Sequence, residues 1–499
     1  MGRSFSRLPL SGGSLTRISF FPGAGRTARI VALGLLLAAG AFLPVRAGVL
    51  PESVVKILNA AGVPEDSLSV YIRDVTQVQP LVSLNADVPR NPASVMKLVT
   101  TAAALHLLGP GFTWETHAYA DGKLVGDRLD GDLVLKGYGD PYLVTESFWT
   151  FLRRLRVKGL RQITGDLVID NSYFSIVPRD RGAFDGRPYH AYNVLPSALL
   201  VNFQTYEFQM LPDRGSKRIQ VTTSPPSATL AIHNRLKFTN GHCRGQKFRI
   251  QMHVLEGLPD DTVRFSGEYP SACGSHALLR TVSSHESFVH GVFTALWREL
   301  GGEFEGGVRS GTAPGGARRL FVHRSYPLSD VIRPMNKFSN NVMTRNLFLT
   351  LGAERHGAPG SVSKGRVVVR EWLQSIGVDA GGLVIENGSG LSRNSKASAR
   401  LIGEMLLEVY RSPYMPEFVS SLPLAAIDGT MRKRFRNGPM HGRMHIKTGL
   451  IDHVRSLGGY MLNRNGRTFV VVVLQNHRNI HHQTGTQIQD TLIEWLFDR

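Results

Sequence analysis

One apolar run of good helix formers, Thr100-Thr101-Ala102-Ala103-Ala104-Leu105-His106-Leu107-Leu108 closed by Gly109-Pro110, restricts the fold more than any other stretch. Such a segment has almost no polar face to offer water, so its helix has to lie inside a layered core. The helix is expected to start near Ser94, within Asn91-Pro92-Ala93-Ser94-Val95-Met96-Lys97, and to stop at the Gly-Pro pair. Ser94 and Lys97 then share one helix face. Burial strips an ammonium of its hydration and favours the neutral amine, which can take a proton from a neighbouring hydroxyl. The same pair also suits a plain helix start whose lysine reaches out to solvent. Ser361-Val362-Ser363-Lys364 has the same spacing in a different context. It precedes a charged amphipathic pattern, and Ser361 reads as a helix N-cap.

At 499 residues the chain exceeds what one compact core accommodates, so two or three domains are expected. Residues 1–47 read as a signal peptide. Arg3, Arg7, Arg17, Arg26 and Arg29 precede the apolar run 30–43, and Val45-Arg46-Ala47 offers small residues for cleavage. The run is short for a membrane span, although an uncleaved anchor is the alternative. The rest of the chain is therefore expected outside the cytoplasm, in the periplasm. The formal charge is +19; residues 1–47 contribute six arginines and no acid, which leaves +13 for the remainder. Export argues against nucleic acid as the partner of this charge. Anionic envelope polymers or lipid headgroups are the natural counterions. Cys243 and Cys273 are the only cysteines, and in an exported chain a disulfide between them is expected.

Strand patterns at 68–75 and 81–85 precede the Ser94 helix, a strand–strand–helix half of an α/β sandwich. Residues 113–284 then change texture. Two similar units, Gly131-Asp132-Leu133-Val134-Leu135 and Gly165-Asp166-Leu167-Val168-Ile169, flank a basic helix, and short alternating strands follow up to about Val282. This reads as an inserted β-rich region, perhaps two small domains. Residues 48–112 and 285–499 form the other domain. Its second part opens with a helix over 285–300. A helical stretch over 328–351 and a helix over 365–376 follow. After the glycine-punctuated loop 386–393 come strands at 444–451, 459–462 and 469–474, and a final helix over 487–497. The last two strands are joined by Asn463-Arg464-Asn465-Gly466 and are expected to be antiparallel.

Three short motifs stand in order: Ser94-x-x-Lys97, Ser339-x-Asn341 and Lys447-Thr448-Gly449. With Asp428-Gly429-Thr430, Gly388-Ser389-Gly390-Leu391-Ser392-Arg393 and the long insert, the chain after its signal segment resembles the D-alanyl-D-alanine carboxypeptidase/endopeptidases of the penicillin-binding protein 4 type. These are serine peptidases among the class C low-molecular-mass penicillin-binding proteins. The resemblance implies an α/β (α+β) fold of the penicillin-binding/β-lactamase-like transpeptidase kind, an antiparallel sheet flanked by helices. It implies that Ser94 attacks the penultimate D-Ala carbonyl of a peptidoglycan stem peptide and that Lys97 accepts its proton. Ser339 would relay a proton to the leaving amine, with Lys447 tuning the field. Asn341 would bind the substrate backbone, and Thr448 with Lys447 the terminal carboxylate. Gly449 would let substrate lie along the strand edge, and the amides of Ser94 and Leu450 would form the oxyanion hole. β-Lactams would be covalent inhibitors. No metal or organic cofactor is implied, and His477, His481 and His482 lack the acidic partners of a metal site.

The chain departs from the family pattern at Asn340 and Asn387, where the family has Asp, and at Leu450 and Asp452, which replace polar residues common there. None of these removes a catalytic group. They bear on recognition of the third stem residue, for which Arg393 is the implied contact and Asp185 a weaker one. Two alternatives remain, a β-lactamase or esterase on the same frame and a catalytically silent peptidoglycan-binding protein.

Overall fold

The computed structural model describes residues 50–499 apart from 244–249, 256, 258–260 and 481–482. The signal-segment reading, and those for His481 and His482, lie outside the described residues. Among the described residues no helix is long and apolar enough to cross a membrane.

The central element is a five-stranded antiparallel sheet in the order Met444–Ile451, Val454–Leu462, Thr468–Asn476, Leu68–Asp74, Val82–Leu84. The expected hairpins are present, with Val70 opposite Leu84 and Gly458 opposite Val472. Alternation along Thr468–Asn476 sends Val470, Val472 and Leu474 to one face and Val471 and Val473 to the other. Helices cover both faces, which is why this strand is apolar at successive positions. Glu52–Ala60 and Gln483–Phe497 lie on one side. On the other, the Met96–Leu108 helix is surrounded by Leu328–Lys337, Asn341–His356, Val362–Ser375 and Ala399–Arg411. Ten consecutive residues of that helix, Met96 to Leu105, are buried, as a run without a polar face requires. Ser361 is an N-cap, accepting from the Lys364 amide at 3.3 Å.

The expected single stretch over 328–351 is two helices. Ser339 has φ +58°, a left-handed conformation that a helix interior does not contain, and Asn340 restarts the chain by accepting the Met343 amide at 3.1 Å.

A second core belongs to the insert. Its main sheet runs Glu303–Phe304, Gln162–Ile163, Arg128–Gly137, Glu115–Val125, Arg318–Arg324, with Leu167–Asp170 and Val308–Ser310 alongside. The two similar sequence units are neighbours in it, with Leu133 opposite Leu167 in parallel. Two three-stranded sheets complete the region, and Cys243 is bonded to Cys273. The expected boundary at 284 needs correction. The His285–Glu299 helix buries Phe288, Val292, Phe293 and Trp297 against Phe208, Phe265 and Phe304 of this core, and the strands up to Arg324 extend its sheet. The amphipathic face of that helix was legible; which core it would cover was not.

Candidate active site

The Ser94 turn is clamped before the helix begins. Ala93 has φ +44°, and its amide donates to Asn91 Oδ1 at 2.9 Å. Asn91 exchanges hydrogen bonds with the end of the central strand: its amide donates to Asn476 Oδ1 at 2.8 Å and its carbonyl accepts from Asn476 Nδ2 at 3.0 Å. Its own Nδ2 donates to Ser392 O at 2.8 Å, tying the turn to the 386–393 loop. That loop presses close, since a Cβ at Gly390 would lie 1.8 Å from Ala93 O. Asn387 shapes it by accepting from the Ser389 amide at 3.0 Å and donating to Leu391 O at 2.8 Å.

Lys97 is 0% exposed. Its Nζ lies 3.1 Å from Ser94 Oγ, 2.7 Å from Asn341 Oδ1 and 2.6 Å from Ser389 O. Burial pushes its pKa well below the ordinary lysine value, and the charges of Lys447 and Arg345 add to the effect. The contact set suits a neutral amine. As the neutral amine, Lys97 would give its two hydrogens to Asn341 Oδ1 and Ser389 O, which only accept, and leave its lone pair for the Ser94 hydroxyl.

Lys447 is the second buried amine, on the edge strand of the sheet. It donates to Ser339 Oγ at 2.9 Å and to Thr448 O at 2.7 Å, and burial lowers its pKa to about 7. The left-handed turn at Ser339 aims that hydroxyl toward the strand. Thr448 bonds Thr430 Oγ1 at 2.8 Å, and the Asp428-Gly429-Thr430 turn is anchored by Lys337 on Asp428 at 2.5 Å. The sequence singled out the Asp-Gly-Thr run without a role for Thr430, which the structure places beside Thr448.

These groups open onto a cleft of about 340 Å³ lined by Ser94, Ser339, Thr430, Thr448, Gly449 and Leu450, together with Arg434 and Arg455. Glycine at 449 has a reason inside the protein: a Cβ there would lie 2.2 Å from Ser456 Oγ and 2.7 Å from Pro92 O, which are themselves hydrogen-bonded at 2.6 Å. Leu450 leaves its side chain exposed.

The residues read as contacts for the third stem residue are placed differently. Arg393 donates to Asp452 Oδ2 at 2.9 Å and lies over the Phe184 ring at 4.6 Å from the centroid. Phe184, from the insert, packs with Leu391, Ala93, Ile451 and Val454. Asp185 turns back into its own loop, accepting from Tyr192 OH at 2.7 Å and Asn193 Nδ2 at 2.9 Å. Burial opposes its ionisation, but those bonds, the Arg187 amide and the Arg187 charge hold its pKa below the usual value. The loop also reaches the Lys97 cluster through Tyr192 O, which accepts from Asn341 Nδ2 at 3.1 Å, a link for which the sequence carries no signal.

With this geometry in place, comparison with known proteins decides the family. Residues 50–498 match the D-Ala-D-Ala carboxypeptidase 3 (S13) family. The chain belongs to that family. It is 30% identical, over 91% of its length and 88% of the relative's, to the D-alanyl-D-alanine carboxypeptidase of Actinomadura sp. (strain R39). Its fold is that of penicillin-binding protein 4 (dacB) from Haemophilus influenzae, with a TM-score of 0.73 and 24% identity, covering 89% of this chain and 99% of that one. The same H. influenzae protein in complex with a β-lactam aligns at a TM-score of 0.68 and 23% identity, covering 87% and 96%. As a member of the S13 family the chain is a serine DD-peptidase.

Proposed function

We propose that this protein is an exported serine D-Ala-D-Ala carboxypeptidase and endopeptidase of peptidoglycan, working through an acyl-enzyme on Ser94. The observation that carries the proposal is the Lys97 amine, buried, 3.1 Å from Ser94 Oγ and within hydrogen-bond distance of Asn341 Oδ1 and Ser389 O. Neutral Lys97 takes the Ser94 proton as Oγ attacks the penultimate D-Ala carbonyl. The oxyanion is received by the amides of Ser94 and Leu450. Ser339, hydrogen-bonded to Lys447, relays to the departing amine the proton that Lys97 has taken, so that Ser339 is a hydroxyl and Lys97 neutral again before water enters. Asn341 holds the substrate backbone, and Lys447 with Thr448 holds the terminal carboxylate. Water then hydrolyses the ester and returns Ser94 to its starting state. The strand edge beside Gly449 receives the substrate as an added strand. Arg393 serves the third stem residue. Asp185 acts on that wall only indirectly, through the loop it braces.

In this reading residues 1–47 direct export to the periplasm, and the peptidase domain carries an insert that runs on to Arg324. β-Lactams act as substrate mimics, in keeping with the β-lactam complex of the H. influenzae protein. The basic surface faces anionic envelope polymers or lipid headgroups.

The test is covalent labelling. Purified protein incubated with a fluorescent penicillin is expected to give a stable labelled band that is absent in Ser94→Ala. A band that survives the substitution refutes the nucleophile. Label lost within seconds by hydrolysis refutes a slow peptidase in favour of a β-lactamase.

A further inference from the structure

A cavity of about 740 Å³ lies in the insert, and none of its lining residues is Ser94, Lys97, Ser339 or Lys447. One wall is the loop Gly186-Arg187-Pro188-Tyr189-His190. The facing wall is the His276–Arg280 strand, whose alternation puts His276, Leu278 and Arg280 on one side, together with Met252 of a neighbouring sheet. The loop is held in place on that strand: the Thr281 amide donates to Tyr189 O at 3.1 Å, and His190 bridges Arg280. The volume falls in the range of ligand pockets, ~300–1,000 Å³, and the floor is apolar. No carboxylate is among the lining residues, whereas two arginines and two histidines are. Asp185, next to the loop in sequence, accepts from Tyr192 and Asn193. Burial, followed by the charges of Arg280 and Arg187, holds His190 below its ordinary pKa against the opposing charge of Asp185.

We propose that this cavity is a second binding site, for a carboxylate-bearing peptide, with Arg187 and Arg280 pairing the carboxylates and Met252 and Leu278 packing its apolar part. Resting on the reading that stem peptides are the substrate, the occupant is the acidic peptide of a neighbouring peptidoglycan strand. One loop serves both places: it forms a cavity wall through 186–190, and at Tyr192 its carbonyl holds Asn341 of the cleft. The site thus lets the enzyme hold one strand while it cuts another. Arginine is suited to this because its planar fork pairs a carboxylate with two hydrogen bonds.

The experiment separates this site from the catalytic one by closing the latter. The full-length protein, acylated to completion with penicillin, is titrated into a fluorescently labelled tripeptide, L-Ala-γ-D-Glu-L-Lys with free carboxylates, and binding is followed by polarisation. The acylated wild type is expected to bind it, Arg280→Gln and Arg187→Ala to bind at least tenfold more weakly, and the peptide with both carboxylates amidated to bind as poorly as the variants. Absence of binding to the acylated wild type, unchanged binding in both variants, or equal binding of the amidated peptide overturns the proposal. Completeness of acylation, read on the same samples, reports the catalytic centre, so that loss of labelling marks failure of the peptidase reading and loss of tripeptide binding with full labelling marks failure of the second site alone.

Discussion

On the helical wall of the cleft Lys97 is 0% exposed, and each of its three contacts is set by an element with its own packing: the Ser94 turn, the start of the Asn341–His356 helix and the Ser389 carbonyl. On the wall formed by the 386–393 loop and the strand end, the Arg393 and Asp452 side chains keep 42% and 68% of their surface in water while paired with each other. The first wall holds groups whose charge state is decided by burial. The second holds groups whose charge is fixed and whose partner is exchangeable. A cleft built this way keeps its chemistry constant while recognition drifts. Asn340, Asn387, Leu450 and Asp452, the departures from the family pattern, illustrate this. Asn340 keeps its capping bond, Asn387 keeps its loop bonds, and the other two face the solvent-exposed wall.

The comparison breaks most sharply at Lys97. Lys97→Met is expected to lower the acylation rate by fluorescent penicillin about 10³-fold, within the usual span for losing a general base. The melting transition checks that the fold is retained. An acylation rate within tenfold of wild type would mean that burial on this wall does not generate the base.

Lys447 gives the next effect, and its sign follows from linkage. Its folded pKa is about 7 against an ordinary 10.5, so between those values the unfolded chain holds a proton that the folded chain has released. Stability from this group therefore rises with pH from about 7 towards 10.5 and is lowest below 7, where the folded protein has to bury the charge. Lys447→Met removes that dependence. Measured by urea midpoints at pH 6.5 and 9.5, the variant is expected to gain relative to wild type at the lower pH and to lose that gain at the higher. A gap that does not change with pH would place Lys447 in contact with water.

The two walls were also unequally legible. Ser94 and Lys97 are one helical turn apart, and the apolar run behind them announces their burial, so periodicity alone brings them together. Ser339 and Lys447 are brought to each other only by a motif resemblance, because a contact across 108 residues of sequence leaves no periodic trace. The break at Ser339 was missed since Phe338-Ser339-Asn340 contains no glycine or proline to mark a left-handed residue. The insert was readable as β-rich, but its end was not, because an amphipathic helix shows that it packs without showing against what. Ala399–Arg411, capped by Ser398, carries an ordinary helical pattern that a search centred on motifs passes over. The resemblance implies Asp185 as a weaker contact for the third stem residue, and the bonds its oxygens accept from Tyr192 and Asn193, close to it in sequence, are not signalled by any motif.

The smallest expected effect tests the exposed wall. An ion pair this wet contributes under about 1 kcal/mol, and the Phe184 ring adds about 0.5–1 kcal/mol of cation–π attraction to Arg393. Arg393 can therefore leave Asp452 for a substrate carboxylate at little cost, while Phe184 keeps it over the cleft rim. Asp452→Asn removes the competitor and is expected to lower KM by up to about fivefold, the equivalent of ~1 kcal/mol, for a peptide whose third residue carries a side-chain carboxylate. Arg393→Ala is expected to raise KM for that peptide by a similar factor. Neither change should alter kcat or penicillin labelling, because the Lys97 contact with this loop is to the Ser389 carbonyl, whereas the Arg393 side chain bonds Asp452. Amidating the side-chain carboxylate should abolish both KM effects. Equal shifts for the charged and the amidated peptide would show that the Arg393–Asp452 pair only braces the loop, and recognition of the third residue would then have to come from elsewhere on the rim.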